Sequence, residues 1–95
     1  MIPIDTNKVI LSGTIDSLEF NKTTTNKSVV NFSVSIESKY RDSLPCQAYG
    51  ELADLIEQHY PIGTHVMAVG RLRSVGLKDN SRNWIVIEKI GTELI

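Results

Sequence analysis

The stretch from residue 29 to residue 39 constrains the fold more than any other part of the chain. Val30, Phe32, Val34 and Ile36 alternate there with Asn31, Ser33, Ser35 and Glu37. A period of two puts every second side chain on one face of a strand, so one face is core and the other is wet. This is the pattern of an antiparallel sheet covered on one side only. The rest of the chain has to supply the strands that pair with it.

Residues 8–20 supply one partner, with Val9, Leu11, Gly13 and Ile15 on one face and Ile10, Ser12 and Thr14 on the other. A glycine inside a strand signals a bulge, a bend or a close backbone approach. Residues 21–28 hold no apolar side chain and read as a polar hairpin loop. Residues 40–45 read as a short loop and residues 46–50 as a short third strand. Residues 51–60 are expected to form a helix, with Leu52, Leu55, Ile56 and His59 or Tyr60 on its buried stripe. Glu51 and Asp54 suit the positive end of its dipole, and Pro61 and Gly63 end it. Residues 64–76 form a fourth strand, with Val66, Ala68, Gly70 and Leu72 opposite Met67, Val69, Arg71 and Arg73. A loop over 77–82 leads to a fifth strand over 83–90, with Ile85 and Ile87 opposite Trp84, Val86 and Glu88.

Three strands, one helix and two strands is the layout of an all-β domain with one short helix. The expectation is a five-stranded OB-fold barrel with the helix between strands 3 and 4. Another five-stranded barrel or sandwich with a helical plug has the same element order. A chain of 95 residues leaves room for one core, so residues 1–95 are expected to be a single domain. A domain this small is helped by self-association.

Charge and composition narrow the function. Ten Lys/Arg against eleven Asp/Glu exclude a uniformly basic nucleic-acid binder, though not a local basic stripe. Bases gather at Lys39 and Arg41 and again at Arg71, Arg73, Lys78 and Arg82, while acids gather at Glu51, Asp54 and Glu57. Apolar runs are too short for a membrane span, and Met1-Ile2-Pro3-Ile4-Asp5 does not open a secretory signal. The one cysteine, Cys46, excludes an internal disulfide and reads as a small core residue. A cytoplasmic protein is expected. His59 and His65 lack the spacing of a zinc site, and no Gly-rich loop is placed to cradle a phosphate. The chain reads as no enzyme, with no metal and no cofactor.

Several segments look familiar in order. Asn7-Lys8-Val9-Ile10-Leu11-Ser12-Gly13 resembles the opening strand of bacterial single-stranded DNA-binding proteins, and Val30-Asn31-Phe32-Ser33-Val34 is similar to their second strand. Tyr40-Arg41-Asp42 looks like their aromatic corner, and Tyr49-Gly50-Glu51-Leu52-Ala53 like their strand-to-helix junction. Gly63, Val66 and Gly70-Arg71-Leu72 resemble their fourth strand. The resemblance covers most of residues 7–90. It implies binding of single-stranded DNA without sequence preference, a homo-oligomer (dimer or tetramer), and replication, recombination or repair proteins as partners. Leu11-Ser12-Gly13-Thr14 and the ending Thr92-Glu93-Leu94-Ile95 look equally like the primosomal replication protein N, a dimeric cousin. That cousin implies an adaptor with weak DNA binding and a protein partner. The sequence stops at Ile95 without the family's Gly/Pro/Gln-rich tail, so recruitment through such a tail is not expected. At the family's tryptophan positions the chain has Tyr40, about Ser43, and Leu77, and Tyr49 stands where the family has a stacking phenylalanine.

Single strands are held by cations that track phosphates and by aromatic faces that stack on bases. The expected nucleic-acid site is therefore Lys39, Tyr40, Arg41, Tyr49, Arg71, Arg73, Lys78, Arg82 and Trp84. The blander readings stay open. Tyr49 also suits packing at the helix junction, Trp84 a barrel cap or subunit interface, and the basic residues an ordinary solvated face.

Overall fold

The structure is a computed structural model that describes residues 5–37, 40–75 and 82–92. Five strands form a closed barrel in the order β1-β2-β3-β5-β4, with one helix between the third and fourth. The elements are β1 (Val9–Lys22), β2 (Ser28–Glu37), β3 (Arg41–Tyr49), α1 (Glu51–His59), β4 (His65–Val75) and β5 (Arg82–Gly91). This is the OB-fold layout anticipated from the element order. All pairings are antiparallel except β3 with β5, which closes the barrel in parallel at Cys46↔Ile85 and Gln47↔Val86.

The alternating pattern does what its periodicity demands. Val30, Phe32 and Val34 are buried and meet Leu11, Ile15, Cys46, Ile85 and Ile87 inside the barrel. Strand β1 is long because it serves two partners. Its first half pairs with β4 from Val9↔Gly70 to Thr14↔His65, and its second half with β2 from Thr14↔Ser35 to Lys22↔Ser28. The turn between the halves falls at a register shift between Ile15 and Ser17. There the Ile15 amide donates to the Thr64 carbonyl at 2.9 Å, and the Gly63 amide donates to the Ile15 carbonyl at 2.8 Å. Gly13 makes the bend possible, since a Cβ on it would stand 2.4 Å from the Ser35 carbonyl oxygen.

Two expectations need correction. Residues 41–45 are strand rather than loop, because β3 pairs with β2 without a break from Glu37↔Arg41 to Val29↔Tyr49. Pro45 is tolerated because the described pairing with β5 starts only at Cys46, leaving its nitrogen outside that ladder. The helix buries Ala53 and Ile56, with Leu52 and Tyr60 packed beside them, while Leu55 and His59 face outward. At 100° per residue Leu52, Ala53, Ile56 and Tyr60 fall within one arc of about 100°, and Leu55 lies outside it. Gly50 (φ 66°) makes the sharp entry into α1, a conformation open to glycine at no steric cost.

Candidate nucleic-acid interface

Side chains of paired residues share a face, so the register fixes which side chains point out of the barrel. Along β3 the outward positions are Arg41, Ser43, Pro45, Gln47 and Tyr49. Across the parallel pairing, Gln47 lies beside Val86, and Trp84 therefore falls level with Pro45. Across the next ladder, Trp84 pairs with Arg73 and Val86 with Arg71. Tyr49, Trp84, Arg71 and Arg73 thus share one outer face, made by β3, β5 and β4. Both arginines are exposed, and both aromatic rings are half-buried.

Tyr40 and Arg41 lie at the other end of β3. Nine residue steps separate Tyr40 from Tyr49, at most about 30 Å of extended chain. These two tyrosines cannot stack on neighbouring bases. Trp84, level with Pro45, divides the interval into about 17 Å and about 13 Å. Tyr40 is 70% exposed, and the Arg41 guanidinium donates to the Glu37 carboxylate across the hairpin. That ion pair is exposed on both sides and contributes little to stability. Lys39 and Lys78 lie outside the described residues. Arg82 opens β5, and its side chain is likewise outside them.

The ring of Tyr49 is held from two sides. Its hydroxyl donates to Gln47 Oε1, and Gln47 Nε2 donates in turn to Asn31 Oδ1 at 2.9 Å. The Lys27 ammonium lies 5.9 Å from the ring centroid, a cation–π contact brought from the β1–β2 hairpin. That hairpin is a tight turn in which the Asn26 amide donates to the Thr23 carbonyl and Asn26 takes a positive φ of 64°. Asn31 and Gln47 were not singled out from the sequence. The alternation marked Asn31 as outward-facing, yet only the Val29↔Tyr49 and Asn31↔Gln47 register puts it and Gln47 in one row with the tyrosine.

Charge divides the outer surface in two. The β1–β2 side presents Asp16, Glu19 and Glu37. Asp16 is already engaged, accepting hydrogen bonds from the Ser33 and Ser43 hydroxyls, the latter at 3.2 Å. An open cleft of about 690 Å³ on that side is lined by Ser12, Thr14, Asp16, Ser35, Glu37 and Arg41 among others, so its carboxylates oppose a phosphate chain. The β3–β5–β4 side carries Arg71 and Arg73 beside the two rings, with Glu88 farther along β5 and Asp42 at the far end of β3. The aromatic and cationic face, rather than the larger cleft, is the surface suited to a polyanion. Cys46 is fully buried, and burial pushes its thiol up to about 12. Among the described residues no group of three or more His, Cys, Asp or Glu could hold a metal ion. No helix among them is long and apolar enough to cross a membrane.

A closed five-stranded barrel with its helix between β3 and β4, and an aromatic and basic outer face, defines an OB-fold domain of the kind that binds extended polymers. The profile of the single-strand binding protein family matches residues 6–90, and the chain belongs to that family. Among solved structures it is similar to two forms of the single-stranded DNA binding protein from Thermus aquaticus. A deletion mutant superposes with a TM-score of 0.81 at 21% identity, covering 95% of this chain and 42% of that one. The wild type gives 0.80 at 20%, covering 95% and 41%. The SSB domain of a Synechococcus sp. protein gives 0.76 at 16%, covering 94% of this chain and 98% of that one. The chain thus spans about two-fifths of the Thermus aquaticus proteins and nearly all of the Synechococcus domain. No curated protein matches it significantly.

Proposed function

We propose that this chain binds single-stranded DNA without sequence preference, as a single OB-fold module that performs no chemistry. The observation that carries the reading is the shared outward face of Tyr49, Trp84, Arg71 and Arg73. The arginines neutralise phosphates and the rings stack on bases of any identity, because every base has a π-face. Membership of the single-strand binding protein family and the likeness to single-stranded DNA binding proteins support the same ligand. The strand runs along β3, from Tyr40 and Arg41, past Trp84 and Arg73, to Arg71 and Tyr49. Lys39, between β2 and β3 in sequence, Lys78, between β4 and β5 in sequence, and Arg82, at the start of β5, add further phosphate contacts. The module works as a homo-oligomer in the cytoplasm, beside other proteins of replication, recombination or repair. Support for self-association comes from the first half of β1, whose edge on the β2 side has no ladder partner before Thr14 among the described residues.

Fluorescence anisotropy of a labelled oligo-dT, at low and moderate salt with a duplex of equal length alongside, tests the reading. Tight, salt-sensitive binding to the single strand and weak binding to the duplex are expected. Equal binding to both, or none at low salt, would overturn it and direct attention to protein partners. Sedimentation at micromolar concentration tests the oligomer, and a monomer there refutes it.

A further inference from the structure

The β1–β4 ladder ends at Val9↔Gly70, but β4 continues through Arg71, Leu72, Arg73 and Ser74 to Val75. Beyond Gly70, β4 pairs only with β5, which keeps β3 on its other side at Ile85 and Val86; past the Leu72↔Ile85 pair the two strands continue as a two-stranded arm. The arm carries Arg73 and Trp84, and Leu72 stands at its root next to Arg71. Two-stranded ribbons are marginal in water, and their twist is poorly fixed without further support. In a strand the N–H and C=O of one residue point the same way. Those of Leu72 point away from β5, toward the side that β1 has vacated.

Asn7 fills that place. Its Nδ2 donates to the Leu72 carbonyl at 2.6 Å, and its Oδ1 accepts from the Leu72 amide at 2.8 Å. One side-chain amide thus supplies both halves of a missing strand pair, two residues before β1 begins. The clamp sits just beyond the register shift between Val69 and Gly70, where β4 and β5 approach so closely that only a glycine fits. Leu72 lies between the two arginines. Holding its backbone from the β1 side supports the root of the arm, and with it the position of Arg73 and Trp84 beside Pro45 and the Gln47–Tyr49 row.

We propose that Asn7 is a positioning residue for the interface: its amide pairs with the backbone of Leu72 and sets the β4–β5 arm against β3. Asn7 itself touches no ligand. The inference rests on the single-strand-binding reading for its consequence, though the clamp can be measured without it.

The clamp is tested by amide hydrogen exchange. The Leu72 amide is protected in the wild type, and Asn7→Ala removes that protection while the amides of β2 keep theirs. Unchanged protection at Leu72 overturns the clamp. The consequence is tested by oligo-dT anisotropy in a double-mutant cycle with Arg71→Gln/Arg73→Gln. Asn7→Ala weakens binding roughly threefold or more in the wild-type background and loses most of that effect when both arginines are gone, because the two changes act on one interaction. Additive losses in the two backgrounds, or no weakening at all, refute the positioning role. Ser17→Ala, which removes a hydrogen bond to Ser33 on the β1–β2 side, is the stability control, and its affinity stays at the wild-type value. A variant with Asn7→Asp keeps the acceptor for the Leu72 amide and loses the donor, so it retains Leu72 protection better than the alanine variant. If the wild-type chain does not bind oligo-dT, the function falls while the exchange result still decides the clamp.

Discussion

Gly70→Ala isolates the close approach of β4 and β5 at the root of the arm. A Cβ at residue 70 would lie 2.1 Å from the Val86 carbonyl oxygen, 2.9 Å from its carbon and 3.1 Å from Ile87 Cα. All three are backbone atoms, so no side-chain rotation gives relief. Real Cβ atoms essentially never come within 3.0 Å of such atoms, which leaves a shortfall of about 0.9 Å against the oxygen. Paired strands are about 4.8 Å apart, so a displacement of that size breaks the local ladder. Overpacking of this kind costs about 1–3 kcal/mol. The alanine recovers about 0.4–1 kcal/mol by restricting the unfolded chain. The net loss is about 1–2 kcal/mol, and a domain of this length melts about 4–8 °C lower per kcal/mol. Thermal melts should therefore place Gly70→Ala roughly 5–15 °C below the wild type. Gly91→Ala is the control, since nothing lies within 4 Å of its added carbon. A Gly70→Ala variant that melts within about 2 °C of Gly91→Ala would refute the steric argument, and with it the claim that the strands meet this closely.

Three other outcomes follow from the same geometry. Tyr49→Ala should weaken oligo-dT binding by about 1–3 kcal/mol, roughly 5- to 150-fold, with Tyr49→Phe close to wild type; Tyr40→Ala should matter only for oligonucleotides long enough to span β3, and equal effects on short ones would show that the two rings share one subsite. Replacing Arg71 and Arg73 by glutamine removes two phosphate contacts, so the slope of log affinity against log salt should flatten by about 1.4, and an unchanged slope would remove both from the phosphate path. The Cys46 thiol is pushed up to about 12 from an ordinary value of 9.0 by burial. The unfolded chain therefore loses its proton first, and stability should hold steady below about pH 9 and fall from there toward pH 12, a fall absent in Cys46→Ala.

The sequence made the barrel legible wherever one face of a strand is dry and the other wet. Val30 to Ile36 needed no structure to be read, because alternation depends only on burial of one face. Arg41 to Pro45 hid a strand because four of its five residues are polar or proline, and what makes it extended is pairing with β2 rather than any local preference. The helix shows the same limit: Leu55 fits a buried stripe by spacing, but the face that packs on the barrel is centred on Ala53 and Ile56 and leaves it outward. Parity also marked Arg71, Arg73 and Trp84 as lying opposite the core face, while Tyr49 was singled out by resemblance alone. Their arrangement could not be read. It depends on two pairs of the parallel β3–β5 ladder, Cys46↔Ile85 and Gln47↔Val86, which join segments almost forty residues apart and leave no periodic trace. The net charge of −1 misleads for a related reason. It averages carboxylates such as Asp16, Glu19 and Glu37 on β1 and β2 with the Arg71 and Arg73 pair on β4, and only closure of the barrel sets the two apart. A polyanion meets the local field of one side rather than the sum over the chain, which is why the salt dependence of the Arg71 and Arg73 variants is the informative measurement.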